Sequence, residues 1–397
     1  MISLAEHDLC SGCGACAYVC PQHCIEMVED NMHVIYPRIN YDNCLDCGKC
    51  QRFCPILNPV EKHTPITVFA ARSSQSSDAF SGASGGVSTA VFKNALSENS
   101  YIVGAKQNND FSVCLEASDR IKAIESFKNS KYVFSSVYHV FPQISELINK
   151  DKSVVVAALP CQIAALRKVF RDNAKLTFID IVCHGTTPLN YLQQHINYIE
   201  KKLDNKATRV YFRDPSRYTY TFTFTLYDKD DHCFYAKRTK DGDTYQYGYH
   251  RAITYRENCY HCPFACQARV GDISLADYPG LGTLEPFPHD KKNINSVLVN
   301  TKKGELLINK LINTGCIEAY ERPIKEVIDG NRQLKSHVEK SNERIVFESM
   351  MNSTNADFEQ SMKAITRKGL FNEKIHKICI LPRRIIKKIK RTFTNRQ

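Results

Sequence analysis

The chain sets Cys10, Cys13, Cys16 and Cys20-Pro21 in a C-x2-C-x2-C-x3-C-P run, and Cys44, Cys47, Cys50 and Cys54-Pro55 repeat it with the same spacing. No other feature restricts the fold as tightly. Thiols two residues apart can wrap one face of a compact inorganic centre, while a fourth cysteine followed by proline leaves that loop and reaches a second centre. Gly12, Gly14 and Gly48 let the backbone come close to such a centre.

Two such runs predict a ferredoxin-like domain over residues 1–57 that carries two [4Fe-4S] clusters. One cluster takes Cys10, Cys13, Cys16 and Cys54, and its twin takes Cys44, Cys47, Cys50 and Cys20. A pair of zinc sites is the competing reading of C-x2-C pairs, but zinc has no use for a doubled four-cysteine run with proline after each last ligand. Cys24 has no counterpart after the second run and reads as a small buried hydrophobe. Ile25 to Met27 and His33 to Tyr36 read as short strands.

The 18 cysteines would suit a disulfide framework in a short secreted chain, but this chain has 397 residues and 43% apolar composition, enough for a proper core. Met1 to Cys10 lacks the pattern of a signal peptide, and no apolar run reaches the roughly 18 residues of a membrane span. A cytoplasmic protein whose thiols serve as metal ligands is expected. The net charge of +11 is concentrated in residues 367–397, which hold 11 Lys/Arg against the single acid Glu373. The body is nearly neutral and lacks a basic aromatic surface, so no nucleic-acid partner is expected.

Residues 58–65 are polar and proline-bearing and read as a linker. Beyond them β-rich runs (Thr67 to Ala71, Tyr101 to Ala105, Ser153 to Ala158, Leu176 to Val182) alternate with helical ones (Val87 to Ser97, Phe141 to Lys150). That alternation, next to the cysteine domain, places the chain in the α+β class. Residues 208–237, including Tyr220 to Tyr227, suggest an antiparallel portion.

Ser81-Gly-Ala-Ser-Gly-Gly86 precedes a predicted helix and could cradle a phosphate, or could be a turn with a good cap. Cys161 and Cys183 each follow a predicted buried strand, and Cys259-Tyr-His-Cys262-Pro263 adds a C-x2-C pair. Those four thiols suffice for a third [4Fe-4S] cluster; packed core thiols are the alternative, and Cys266 competes with either single cysteine. His184 could serve a cofactor or the core. Cys114, Cys233, Cys316 and Cys379 read as packing residues.

Taken in order, Ser81 to Ala90, Gly104, Ser130-Lys-Tyr132, Leu159-Pro-Cys-Gln-Ile-Ala-Ala-Leu166, Cys183-His-Gly185, Cys259 to Cys262 and Arg269 to Asp277 resemble the beta-subunit family of coenzyme F420 hydrogenases and dehydrogenases. The form resembled carries a ferredoxin domain in front, and the resemblance covers roughly residues 1–285. It implies FAD as a further cofactor, the third cluster at Cys161, Cys183, Cys259 and Cys262, and Ser84, Gly85, Gly86 and Lys131 on the flavin side. It also implies domain limits: residues 66–150 and 151–335 as two parts of one α/β-type flavin and iron–sulfur domain, and 336–397 as a helical, basic tail. Where the family ends its last motif with Gly-Asp-Phe-Trp-Gly, this chain has Ala276-Asp-Tyr-Pro-Gly280 and no tryptophan, so the family's substrate is not carried over.

The expected function is an iron–sulfur flavoprotein oxidoreductase. Electrons from ferredoxin or another donor protein enter through the clusters and reach a small-molecule substrate by way of FAD. A non-catalytic electron-transfer subunit that relays electrons to a partner enzyme is the alternative. The Ile385, Ile386, Ile389 and Phe393 stripe among lysines and arginines suits peripheral contact with the inner membrane face, with a solvated terminus as the bland reading.

Overall fold

The computed structural model of the protein describes residues 2–353 and 357–375. The apolar stripe of the basic tail and Cys379 therefore lie outside the described residues.

The first domain is built around the antiparallel hairpin β1 (Ile25–Glu29) and β2 (Ile35–Ile39) and two short helices, Ala15–Tyr18 and Lys49–Arg52. Each helix starts at a left-handed glycine, Gly14 at φ 74° and Gly48 at φ 69°, directly after the second cysteine of its run. That reversal turns the third cysteine back toward the second, a conformation other residues adopt only with strain.

The body is laid out from β3 (Thr67–Ser73), β4 (Tyr101–Gln107), β5 (Val113–Ser118), β6 (Ser135–Ser136), β7 (Val154–Ala158), β8 (Leu176–Ile181), β9 (Arg209–Tyr211), β10 (Phe224–Tyr227), β11 (Cys233–Lys237), β12 (Ile273–Asp277), β13 (Asn295–Val299) and β14 (Ile317–Arg322). Nine of them form one sheet in the order β14-β3-β13-β12-β8-β7-β4-β5-β6, and β11-β10-β9 form a small antiparallel sheet. β4, β7, β8 and β12 pair in parallel, and β3 shares their direction across the antiparallel β13. Their carboxyl ends thus share one edge, where ligand sites of open α/β sheets collect.

The side chains alternate between two cores as a strand period of two requires. Val154 and Val156 of β7 pack with Phe141, Ile144, Ile163 and Leu166 on one face. Val155 packs with Val91, Ile308 and Leu311 on the other. Both halves of the body contribute strands to this sheet, so they fold as one unit.

Two expectations change. The segment 58–65 is tied down: His63 and Arg269 exchange backbone bonds of 2.7 and 2.8 Å, and Val60 packs on the core. Tyr220 to Tyr227 is a strand only from Phe224, because a turn at Thr219–Thr221 lies between Tyr218 (φ 59°) and Phe222 (φ 50°). The Arg213 Nε donates to the Thr219 carbonyl (3.1 Å) and its guanidinium lies over the Tyr220 and Phe222 rings, which favours the turn over the strand propensity of these residues.

The helix Asn342–Met351 and helical residues 358–375 bury Phe347, Phe358 and Met362 against the helix Leu189–Leu203, so this part of the tail completes a core. Among the described residues no helix is long and apolar enough to cross a membrane.

Candidate functional site

Cys10, Cys13, Cys16 and Cys54 line one cavity of about 350 Å³. Cys20, Cys44, Cys47 and Cys50 line a second of about 350 Å³. The fourth cysteine of each run thus sits with the first three of the other. Burial pushes the Cys13 thiol up to about 12 and raises Cys10, Cys16 and Cys50. Thiolates gathered in such dry pockets need positive charge beside them, and iron supplies it, so the donor set fits a cluster. Among the described residues no three His, Cys, Asp or Glu side chains close around a single metal ion; the thiols stand around the walls of the cavities instead.

Cys24 is buried, as its reading as a small hydrophobe requires, but it also lines the second cavity with its Sγ 3.4 Å from that of Cys20. Burial acts to raise the Cys20 thiol, yet donors from Cys24, Gln22 and His23 outweigh it and lower the thiol. The C-x3-C-P spacing hides this fifth sulfur, because the second run has no equivalent.

Cys161 sits in the first turn of the helix Pro160–Phe170 after β7, and Cys183 lies two residues past β8. Cys259 and Cys262 come from the turn Glu257–His261 and its end. All four line a cavity of about 740 Å³. Burial raises Cys161 and Cys183 well above the ordinary thiol range and Cys262 to about 11. Cys266 does not line it: its Sγ turns to the Ala268 carbonyl at 3.2 Å and the Lys62 ammonium at 3.6 Å.

Two arginines that sequence reasoning passed over hold this cavity in shape. Arg269 is buried and paired with Asp180 (Nη2 to Oδ1, 2.6 Å), and its Nη1 donates to the Phe264 and Cys266 carbonyls that follow Cys262. The other Asp180 oxygen accepts from the Val270 and Gly271 amides, which locks the start of β12 to β8. Arg256 donates from Nη1 to the Ser11 carbonyl and from Nη2 to that of Ile35, and so ties the first domain to the third thiol set. Ser11 and Cys13 line both the first cavity and the third.

The residues expected on the flavin side divide. A Cβ at Gly85 would stand 2.8 Å from the Ala71 carbonyl and the Asn295 amide, and one at Gly86 2.6 Å from the Asp78 carbonyl. The Val87 amide is already taken by Asn295 Oδ1 at 3.3 Å. These glycines therefore serve the close packing of the loop on β3 and β13, and the helix N-terminus is capped by the chain itself. Ser84 donates to the Ile294 carbonyl (3.0 Å) and lies 3.3 Å from the Tyr220 hydroxyl. Lys131 donates to the Lys128 carbonyl at 2.8 Å and pairs with no carboxylate among the described residues; burial lowers it to about 7.

Along the same sheet edge Arg213 donates to Asp277 at the end of β12 (2.8 Å), while its Nη2 has no partner. Asn129 Oδ1, Asn293 Nδ2 and Thr219 Oγ1 are also buried without one. Burial lowers His184, next to Cys183, and lowers His250 to about 4, so both rings are neutral at pH 7. Unsatisfied buried donors and acceptors around one edge fit a polar cofactor there. At the turn that departs from the family motif, Tyr278 packs away from this edge and donates to Glu326 at 3.0 Å.

Comparison with known proteins gives the same two parts. The family described as the C terminus of the coenzyme F420 hydrogenase/dehydrogenase beta subunit matches residues 151–325, and the 4Fe-4S dicluster domain matches residues 9–57. One subunit of the F(420)H(2) dehydrogenase of Methanosarcina mazei is 23% identical over 316 residues, which span 76% of this chain and 81% of that protein. A chain of the F420-reducing [NiFe] hydrogenase complex from Methanosarcina barkeri is 17% identical with a TM-score of 0.43, over 78% of this chain and 92% of that one. The protein is an iron–sulfur electron-transfer protein of the coenzyme F420 hydrogenase/dehydrogenase beta-subunit family, with a 4Fe-4S dicluster domain ahead of the family's C-terminal domain.

Proposed function

We propose that the protein moves electrons between a ferredoxin or similar carrier protein and a small organic molecule, through three [4Fe-4S] clusters and FAD. The observation that carries this reading is the shared wall at Ser11 and Cys13, which borders both the first ferredoxin-type cavity and the cavity of Cys161, Cys183, Cys259 and Cys262. Cys183 is followed by His184, which lies beside Arg213 and Asp277. The three thiol sets and the polar edge therefore form one continuous series.

Cys10, Cys13, Cys16 and Cys54 hold the first cluster, Cys20, Cys44, Cys47 and Cys50 the second, and Cys161, Cys183, Cys259 and Cys262 the third. When bound, clusters exchange single electrons and a flavin combines two of them for organic chemistry. The chain's own work is placement and charge. Arg256 supplies a buried cation between the first and third thiol sets. Ser84, Lys131, Asn129, Asn293 and Arg213 border the flavin's polar parts, and Gly85 and Gly86 let their loop pack close enough to the sheet to do so.

A second reading, a relay subunit without its own substrate, is favoured by the curated relative, which is named as one subunit of a dehydrogenase. Anaerobic protein reconstituted with iron, sulfide and FAD separates the two. The enzyme reading predicts about one FAD per chain and a reduced organic product from a panel of acceptors when dye supplies the electrons. Dye oxidation with no organic product assigns the relay, and failure to retain flavin removes the catalytic half.

A further inference from the structure

Away from the redox series, a cavity of about 970 Å³ opens between the helix Leu189–Leu203, the hairpin strand β11, Gly242 and Thr244, and residues 358–375. At its floor His195, only 2% exposed, lies between Asp243 (Nε2 to Oδ2, 3.1 Å) and Glu359. Those carboxylates are already satisfied. Asp243 also accepts from the Tyr235 hydroxyl at 3.0 Å, and Glu359 from the Thr244 hydroxyl at 2.7 Å and faces Lys363 at 3.8 Å.

The cations at the mouth are not matched in the same way. Lys202, Lys237 and Arg367 line the cavity, and none has a carboxylate partner among the described residues. Thr366 lines it as well, is 3% exposed, and its hydroxyl has no hydrogen-bond partner. A buried hydroxyl without a partner is costly unless something fills the space beside it. The Tyr198 and Tyr235 rings form the remaining polar-aromatic wall, with Lys363 3.5 Å over the Tyr198 ring.

We propose that this cavity is a binding site for a small phosphorylated organic molecule with a flat ring. Lys202, Lys237 and Arg367 take the phosphate charge, Thr366 donates to it, and the ring lies against Tyr198 and Tyr235. The site is separate from the flavin edge and holds whether or not the electron-transfer reading does. It is built by the C-terminal helical residues, so occupancy would also fasten that segment to the body.

The test is calorimetric titration of the full-length protein, reconstituted with its clusters and saturated with FAD, using ADP and inorganic pyrophosphate as probes. ADP is expected to bind one site per chain, more tightly than pyrophosphate. Lys237→Glu with Arg367→Glu should weaken it at least tenfold with iron content unchanged, and Thr366→Val by a few-fold. Equal affinity for the two probes, lost in the charge variant, assigns the site to inorganic anions and overturns the ring contact. Absence of saturable binding, affinity unaffected by these substitutions, or association only with anionic lipid vesicles overturns the site.

Discussion

The Arg256 guanidinium donates 2.8 Å to the carbonyl of Ser11, a residue 245 positions earlier in the chain, and that bond lies between two sets of four cysteine thiols. Its flat face rests on the Phe134 ring at 4.3 Å. Replacing Arg256 with Met keeps the bulk but strands the Ser11 and Ile35 carbonyls. The expected loss is about 3 kcal/mol of stability, read by anaerobic urea denaturation. Loss of the cation should also make the neighbouring clusters harder to reduce, seen as more negative midpoints in redox titration.

Cys24 makes a second prediction. Once Cys20 is a cluster thiolate it cannot donate, so the 3.4 Å contact becomes a Cys24 S–H bond to the ligand sulfur. Such bonds favour the reduced, more negative cluster. Cys24→Ala should lower the midpoint of one cluster by about 20–40 mV, the equivalent of a weak hydrogen bond for a one-electron couple. Full loss of that cluster's signal would instead make Cys24 a ligand.

Lys131 gives a pH dependence. Burial lowers its folded-state value to about 7, below the ordinary 10.4 of an unfolded chain, so the unfolded state binds more protons between those limits. Its cost is therefore full below pH 7 and disappears as pH rises toward 10.4. Lys131→Met should be more stable than the parent at pH 6 by about 2 kcal/mol, discounted for partial exposure to water, and should lose that advantage by pH 10. An advantage independent of pH would contradict the assignment.

His195 behaves in the opposite sense. Burial acts to lower it, but Asp243 and Glu359 prevail and raise it to about 9. The folded state then binds more protons between about 6.5 and 9, so this stabilisation is complete below pH 6.5 and is lost as pH rises through 9. Parent protein should lose about 3 kcal/mol across that window, and His195→Gln should not show the slope.

How far the sequence reaches is plain from particular residues. The cysteine spacing carries the crossed ligand sets, because a fourth thiol before proline leaves its own loop. Local pattern carries the helix Val87–Ser97 and strands β7 and β8, where β-branched runs are buried on both faces. Spacing could not choose among Cys161, Cys183 and Cys266, since that depends on which sheet edge each reaches. Nor could it pair Arg213 with Asp277, or bring Thr366 beside Lys237, because those contacts follow from the sheet order and from helices that close over it late in the chain. The glycines of the Ser81 to Gly86 loop were legible as close approach, but what they approach is the backbone of β3 and β13.

The most direct measurement is iron and acid-labile sulfide per chain in anaerobically prepared parent and Cys259→Ala protein, with magnetic spectra after reduction. Three cluster sites predict about twelve iron atoms in the parent and about eight in the variant, with the ferredoxin-type signals retained. About eight in both proteins would contradict the third centre and break the proposed path between the first domain and the body.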